Sequence, residues 1–592
     1  ENDIIVATSE KVDSLIRNNV SWIKDLTTVV ADEIHLLDDG ERGPTLEVTL
    51  SKIRELNPRV QVIGLSATVS NADVVADWLD AYLLESSWRP VDLRRGVYNN
   101  KKQEIEFENH ENKDIEKDLV TDPTVSLVDD SVGAEGQVLV FVAHRKDTME
   151  LAKNLKQLSL GGCEEIADTV MENAEAEVGE ILASCIRDGV AFHHAGLDRG
   201  QKKLVEKGFR EREIKAIAAT PSLAAGVNVP ARRVVVRDVS RYEGDGYVDI
   251  PVLQVQQMFG RAGRPGLDPY GEAVLVSGRK NSVDELRDRY IDGEPERVLS
   301  KLASEEMLRK HVLATVSNRF AGTYEELLDF ISNTFYAHQE SEETIESQLK
   351  EVVGSLVSFD MLSLELGEPV VIESTGLGDL VSKLYLDPVT ADRFIETVEA
   401  VEGNEITATS RTWLQTVGES PDIYNFWLGY SDDEERYLRY AVEELEGEVI
   451  DTLDSSVENH LDVYKTMRVL SDWISGTDVE ELTEKYDLFP GDIRNRTERA
   501  RWILYGAKAI AGFVTTDQDI IDSISETHDR VVYGVDGELL DLVEVDEVGR
   551  VRARSLYRRG IRDKQDLLDS PKSRLETILG ARTAEKVLES LE

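Results

Sequence analysis

Two adjacent carboxylates, Asp32 and Glu33, follow the apolar run Thr28–Ala31 and precede Ile34 and His35. A strand that delivers paired carboxylates at its C-terminal end suits a magnesium–nucleotide site: one holds the hard cation, the next orients water for attack on a γ-phosphate. In so acidic a chain the same tetrapeptide also reads as an ordinary acidic turn. Far downstream, Gln257-Met258-Phe259-Gly260-Arg261-Ala262-Gly263-Arg264 sets two guanidiniums three residues apart among small residues. Planar, forked donors suit phosphate oxygens, and the bare backbone permits close approach. Hydroxyls at Ser66 and Thr68 follow a second apolar run, 60–65. His193 and His194 adjoin, but neighbours on a strand point to opposite faces, so a structural or interdomain role is expected of them.

These residues need a scaffold. Apolar runs at 4–7, Thr28–Ala31 and 60–65 alternate with helical periodicity at 9–18, 45–56 and Ala72–Leu79, which predicts a parallel sheet packed with helices. A second β/α unit opens at 137, with strands expected at 138–142, 190–192, 214–218, 233–237 and 272–275 and a helix at 146–155. The polar stretch 99–136 reads as a linker or surface excursion. Runs at 234–239 and 247–250 flank Glu243-Gly244-Asp245-Gly246 and predict a hairpin. Beyond 300 the pattern is mostly helical. A short β pair at 361–366 and 369–373 suggests a winged helix, and the chain ends in short helices at 531–592.

The 592 residues hold 67 Lys+Arg against 115 Asp+Glu, a formal charge of −48, with 25 Lys and 42 Arg. Dispersed acid with scarce Lys fits a very salty cytoplasm, where concentrated cations screen self-repulsion. Two cysteines exclude a disulfide framework and a cysteine-based zinc site. The longest uncharged stretch, 216–231, is too short to span a bilayer and contains Pro and Gly. The chain opens at Glu1 in an apolar run, so a fragment is expected; no signal peptide is visible and a cytoplasmic location is expected.

The ordered set carries more than its members. Asp32-Glu33-Ile34-His35, Ser66-Ala67-Thr68, His144-Arg145 after 138–142, His193–Leu197, Ala219-Thr220-Pro221-Ser222 with Gly226-Val227-Asn228, and Gln257–Gly266 resemble, in order, motifs II to VI of superfamily 2 helicases. Thr8-Ser9-Glu10-Lys11 resembles motif Ib. The chain is most similar to the archaeal HelQ-type DNA repair helicases of the Ski-type DExH branch, through Thr375–Gly378, Tyr385–Pro388, 486–502 and a helix-hairpin-helix-like stretch at 545–561. There Gly549-Arg550-Val551 departs from the usual Gly-x-Gly, leaving phosphate contact and packing both open.

The resemblance implies a multidomain α/β plus α architecture. It comprises two RecA-like parallel-sheet domains (1–90, incomplete, and 91–300), a winged helix (301–388), a helical ratchet domain (389–512) and a small C-terminal helical domain (513–592). It implies an ATP-dependent DNA helicase translocating 3′ to 5′ in repair or replication restart, with ATP and Mg2+ as cofactors. Single-stranded and forked DNA is the implied partner of a monomer without a membrane anchor. An RNA helicase of the same branch and a non-catalytic nucleic-acid-binding fragment are the alternatives.

The implied roles fall residue by residue. Asp32, Glu33, His35, Gln257, Arg261 and Arg264 are catalytic, with Asp32 and Glu33 also holding the metal. Ser66 and Thr68 couple, and Gly226 and Asn228 face ATP. Thr8, Thr220, Arg145, Arg494 and Trp502 meet nucleic acid. In the family a hairpin at the place of 234–250 parts the duplex. No Lys follows a Gly in the chain, so the Gly-Lys pair of a P-loop is absent from it. Pro490-Gly491-Asp492 predicts a helix capped by Asp492 and running to about 509, with Arg494, Glu498, Arg501, Trp502 and Tyr505 on or near one face; a core role for Trp502 is the alternative. Seven basic residues against three acids at 199–215, and nine against three at 549–574, suggest anion-facing surfaces or, failing that, solvated helix faces.

Overall fold

The computed structural model describes the chain apart from residues 1, 2, 19, 87, 117–121, 173–176, 225–228, 244, 245, 280, 430, 431, 441–444, 446, 450–460 and 592. In the first lobe β1 (Thr28–Ala31) and β2 (Gln61–Gly64) pair in parallel, Val29 opposite Val62. Around them lie the helices Ser9–Arg17, Gly43–Leu56 and Ala72–Leu79. Residues 4–7, expected as a strand, enter no ladder, and Ile4 and Val6 lie exposed. An apolar run makes a strand only when a neighbour takes up its backbone groups.

The second lobe is one sheet. Its strands are β3 (Asp92–Asn99), β4 (Glu104–Phe107), β5 (Lys113–Asp114), β6 (Val138–Phe141), β7 (Val190–His193), β8 (Ala216–Ala219) and β9 (Arg233–Val236). With β10 (Ser240–Glu243) and β11 (Gly246–Asp249) forming a separate hairpin, the last member is β12 (Tyr270–Val276). The order is β5-β4-β3-β12-β9-β6-β8-β7, parallel from β3 to β7. Every residue of β6, β7, β8 and β9 is buried: β6 and β8 are continuous apolar runs covered on both faces, and the buried Arg233 of β9 is bound by Glu272 at 2.7 Å.

The stretch 99–136 is no plain linker. Glu104-Ile105-Glu106-Phe107 alternates with the period of a strand, and β4 and β5 extend the sheet antiparallel. The helix Pro123–Gly133 then buries Val125, Leu127 and Val128 in the lobe's core. The hairpin pairs Ser240 with Asp249, so its first arm is β10 and not 234–239; residues 233–236 are β9, inside the sheet. Its turn residues 244 and 245 lie outside the described residues.

After the sheet, the helices Glu305–Ser317, Tyr324–Ser332 and Glu342–Ser358 lead into the antiparallel pair β13 (Leu362–Glu365) and β14 (Val371–Ser374), the expected winged-helix order. One apolar core then runs from Leu302 to Val531. It takes in Ile520 and Ile524 of the helix Gln518–Tyr533, which the sequence grouped with the C-terminal domain. Trp413 donates its indole N–H to Ser523 Oγ at 2.9 Å, and Trp473 to the Val531 carbonyl at 2.8 Å. The C-terminal core begins afresh at Val535.

Buried polar groups line the face that the first lobe turns to residues 298–300 and to the winged-helix region, some paired within the lobe and some across it. Lys52 Nζ reaches Asp13 at 3.1 Å with both side chains fully enclosed. Arg17 binds Asp13 at 2.7 Å and donates to the Ser382 carbonyl at 2.8 Å, its guanidinium 3.9 Å from the Tyr385 ring centre. Burial pushes the Asp13 carboxyl up, but Lys52 and Arg17 overcome it and hold the group well below the usual carboxylate range. Glu47 accepts from Ser300 Oγ and the Tyr336 N–H, both at 2.7 Å, and burial pushes it up to about 7. Asn71 exchanges two hydrogen bonds with the backbone of Val298.

Candidate nucleotide and nucleic-acid site

β1 is apolar to Ala31 and then turns sharply. Glu33 adopts φ 52°, in the left-handed region, and Asp32 Oδ1 accepts the Glu33 N–H at 3.0 Å. Asp32 and Glu33 are thereby left exposed while the 3₁₀ turn Ile34–Asp38 buries His35. A left-handed non-glycine residue carries strain of order 1–3 kcal/mol, tolerated where surroundings fix the turn.

His35 is the hub. Its Nδ1 accepts the Ala67 N–H at 3.2 Å; its Nε2 lies 2.8 Å from the Gln257 amide and 3.4 Å from Glu33 Oε2. Burial holds the imidazole below its ordinary range, against the pull of Glu33 and Asp32. The ring is therefore neutral near pH 7. With Nδ1 spent as acceptor the proton sits on Nε2, facing Glu33 Oε2 and the Gln257 amide, whose nitrogen end points toward it and whose oxygen would accept once the amide is turned over. One ring thus ties the carboxylate turn, the loop after β2 and the second lobe.

Arg261 lies close enough for Glu33 to act on its charge. Burial lowers its pKa and Glu33 opposes this. Its Nε donates to the Ala224 carbonyl at 2.9 Å, and Nη2 reaches the same oxygen. Arg264 is not brought to this cluster. It is buried, with Nε and Nη2 on Asp268 and Nη1 on Gln137 Oε1, all at 2.6 Å. The bare backbone beside it serves packing: at Gly263, φ is +94°, and a Cβ on Gly271 of β12 would lie 2.6 Å from the Gly263 nitrogen. Ser66 and Thr68 are exposed, and the contact in their loop is made by the backbone of Ala67 between them. Gly226 and Asn228 lie outside the described residues.

Two adjacent exposed carboxylates fit Mg2+, which binds through one or two carboxylates together with waters and substrate phosphates. A full protein cage is not required, and among the described residues no group of three or more His, Cys, Asp or Glu converges as one.

The nucleic-acid candidates are spread over both lobes and one long helix. Thr8 is exposed and caps the helix Ser9–Arg17 by accepting the Lys11 N–H at 3.3 Å. Thr220 is buried at the end of β8, its Oγ1 2.9 Å from Ser222 Oγ. The helix expected at 490–509 spans Pro490–Val514, with Phe489 at the cap and Pro490 opening the first turn. Asp492 is therefore not the cap. Its carboxylate takes Arg145 Nη1 at 2.5 and 2.6 Å. Arg494, Glu498, Arg501 and Tyr505 share the helix's exposed side, whereas Trp502 is half-buried against the core and donates its indole N–H to the Leu384 carbonyl at 3.2 Å.

This helix touches both lobes. In its first turn Gly491 donates to the Gly196 carbonyl at 3.0 Å, and the ring of His194 packs 5.0 Å from that of Phe489. Just before it, Lys146 meets Asp487 at 2.7 Å. In its third turn Arg499 Nη2 reaches Glu41 Oε1 of the first lobe at 2.8 Å. Glu41, Arg499 and the Ala67 N–H escaped the sequence reading, and Asp492 entered it only as a cap: an acid and a base among many carry no mark, and a backbone donor has no residue type.

The basic clusters are partly spent. Arg550 and Arg554 both reach Asp478, Lys564 reaches Glu544 and Lys572 reaches Glu585, while Gly549 caps the helix Arg550–Arg558. Within 199–215, Lys202 donates to the Ala195 carbonyl at 3.1 Å. Among the described residues, no helix is long and apolar enough to cross a membrane.

Residues 1–75 match the DEAD/DEAH box helicase family and 123–266 the helicase conserved C-terminal domain. Residues 271–363 match a helix-turn-helix domain, and 411–534 domain 4 of archaeal helicases. The ATP-dependent DNA helicase Hel308 of Methanocella arvoryzae is 39% identical over 614 aligned residues, covering all of this chain and 80% of that protein. Hel308 of Pyrococcus horikoshii is 37% identical over 601, covering all of this chain and 81% of its own length. With the carboxylate turn, the His35 hub and the two-lobed sheet arrangement all in place, the chain belongs to the Hel308 family of ATP-dependent DNA helicases.

Proposed function

We propose that the chain carries the working parts of an ATP-driven DNA helicase that moves 3′ to 5′ along single-stranded DNA and opens forked substrates in repair or replication restart. The observation that carries the reading is the neutral His35, bonded at once to the loop after β2 and to Gln257 of the second lobe while lying 3.4 Å from Glu33. A change at the carboxylates is felt by both lobes through one ring.

On this reading Asp32 takes Mg2+, Glu33 orients water at the γ-phosphate, and Arg261 supplies a guanidinium from the opposite lobe. Bound Mg2+ would neutralise charge on the phosphate oxygens. Arg264 would have to leave Asp268 to reach a phosphate. Gly226 and Asn228 are assigned to nucleotide binding from the sequence alone, and Ser66 and Thr68 flank the coupling backbone. Thr8, Thr220, Arg145, Arg494 and Trp502 line the strand, with Trp502 also part of the core. The lobes are assigned to 1–90 and 91–300, followed by the winged helix, ratchet and C-terminal regions.

Because no Lys follows a Gly in these 592 residues, the phosphate cradle of a P-loop is not among them, and the chain alone is expected to turn over no ATP. In the full-length protein Glu33→Gln should keep ATP binding and lose hydrolysis by at least a hundredfold. Wild type should open a duplex with a 3′ tail and leave one with a 5′ tail closed. Robust ATPase from residues 1–592, or a preference for the 5′ tail, overturns this reading.

A further inference from the structure

We infer that Glu41 and Arg499 are positioning residues that fix the long helix Pro490–Val514 to the carboxylate turn; the inference rests on the helicase reading above.

First, the segment from Glu33 to Glu41 is stiff. Ile34, His35 and Leu37 are buried in the 3₁₀ turn. Asp39 Oδ1 accepts the N–H groups of Glu41 and Arg42 at 3.1 and 2.9 Å, and Asp39 Oδ2 binds Arg42 Nη2 at 2.8 Å. Gly43 then packs so closely that a Cβ there would lie 2.4 Å from the Leu37 carbonyl oxygen. A displacement of Glu33 is therefore carried to Glu41 with little slack.

Second, the far end of the contact is held as firmly. Arg499 Nη1 donates to the Asp422 carbonyl at 3.0 Å while Nη2 binds Glu41, and the guanidinium lies 4.6 Å from the Tyr424 ring centre. The Tyr424 hydroxyl also bonds Glu41, and burial together with that carboxylate raises it to about 12. Asp422 is locked in turn by Lys310 at 2.9 Å and by the Asp387 N–H at 2.7 Å. A planar fork held on two sides loses little freedom when it takes a carboxylate.

Third, the same helix is tied to the other lobe seven residues earlier, through Asp492 and Arg145. Seven residues are about two turns, roughly 10 Å of axis. Across that distance the helix registers the position of one lobe against the other.

Fourth, neither Glu41 nor Arg499 touches the His35 hub, so the contact is separable from the chemistry. Their side chains are 53% and 30% exposed, so the fold does not depend on the pair.

The test is a double-mutant cycle in the full-length protein: Glu41→Gln, Arg499→Gln and both together. The readouts are base pairs opened per ATP hydrolysed, ATPase without DNA, and melting temperature. Each single change should lower base pairs per ATP about threefold, leaving DNA-independent ATPase and melting unchanged. The double variant should also fall about threefold, because the second change removes nothing further. An unchanged ratio in the singles, a ninefold additive loss in the double, or a loss traced to lower melting overturns the inference. A wild type that neither hydrolyses ATP nor opens DNA would instead point to failure of the helicase reading itself.

Discussion

The chain makes two kinds of seam out of the same charged residues. Where the first lobe faces the winged-helix region, its own Asp13–Lys52 pair is wholly enclosed with the Tyr385 hydroxyl 3.3 Å from Asp13, and Glu47 takes the Ser300 hydroxyl and the Tyr336 N–H with no cation beside it. Between the long helix and the second lobe, the Arg145 and Asp492 side chains are 36% and 20% exposed, and Lys146 and Asp487 are more open still. A buried pair is costly to form and costlier to break by halves, whereas an exposed pair contributes 0–1 kcal/mol and yields to salt. The first seam behaves as a weld and the second as a joint.

The largest effect that could break this contrast is at Asp13. Asp13→Ala leaves Lys52 enclosed without its partner and should cost about 3–5 kcal/mol in denaturant unfolding. A cost under about 1 kcal/mol would make the weld another joint.

Acid probes the same seam. Burial, opposed by Asp13 and reinforced by Lys52, Arg17 and Lys310, holds His311 down to about 3. The unfolded chain takes up that proton near 6.5, so between those values the unfolded state binds more protons. The histidine's contribution is complete above about 6.5 and is lost as pH falls toward 3, by about 1.4 kcal/mol per pH unit. His311→Gln should flatten the acid limb of the stability curve by one proton. An unchanged limb means that water reaches the ring.

The smallest effect belongs to the joint. Arg145→Ala should cost no more than about 1 kcal/mol in 0.2 M KCl and nothing measurable in 2 M, where screening reaches only a few ångströms, while the Asp13→Ala cost persists across the same series. Melting curves at the two salt concentrations read both.

How much of this was legible depended on what each residue does. The carboxylate turn and the Gln257–Arg264 run could be found because chemistry demands residue types at fixed spacing. The parallel sheet could be found because Val138–Phe141 and Ala216–Ala219 are apolar without a break. The 99–136 stretch misled because Ile105 and Phe107 sit among charges, and the alternation spans only four residues. The hub's third arm is the backbone of Ala67. The seams stayed hidden because nothing distinguishes Asp13 or Glu41 from 113 other acids until the chain is folded, and Asp492 read as a cap. Trp502 was expected at the nucleic acid with a core role as the alternative; its half-buried indole, bonded to the Leu384 carbonyl, packs against the core.

The contact between Gly196 and Gly491 bears on mutational tolerance. A Cβ on Gly196 would lie 2.6 Å from Phe489 Cβ, and one on Gly491 would lie 2.6 Å from the Ala195 carbonyl oxygen. The joint is closed by two main chains in touch, with charges arranged around them. Charged positions at its rim can drift, swap sign or vanish with little change in geometry. The two glycines admit no drift, because any side chain there is a wedge that sets the angle between lobe and helix. In a saturation library across this contact, tolerance should be broad at Lys146 and Asp487 and fall away at residues 196 and 491.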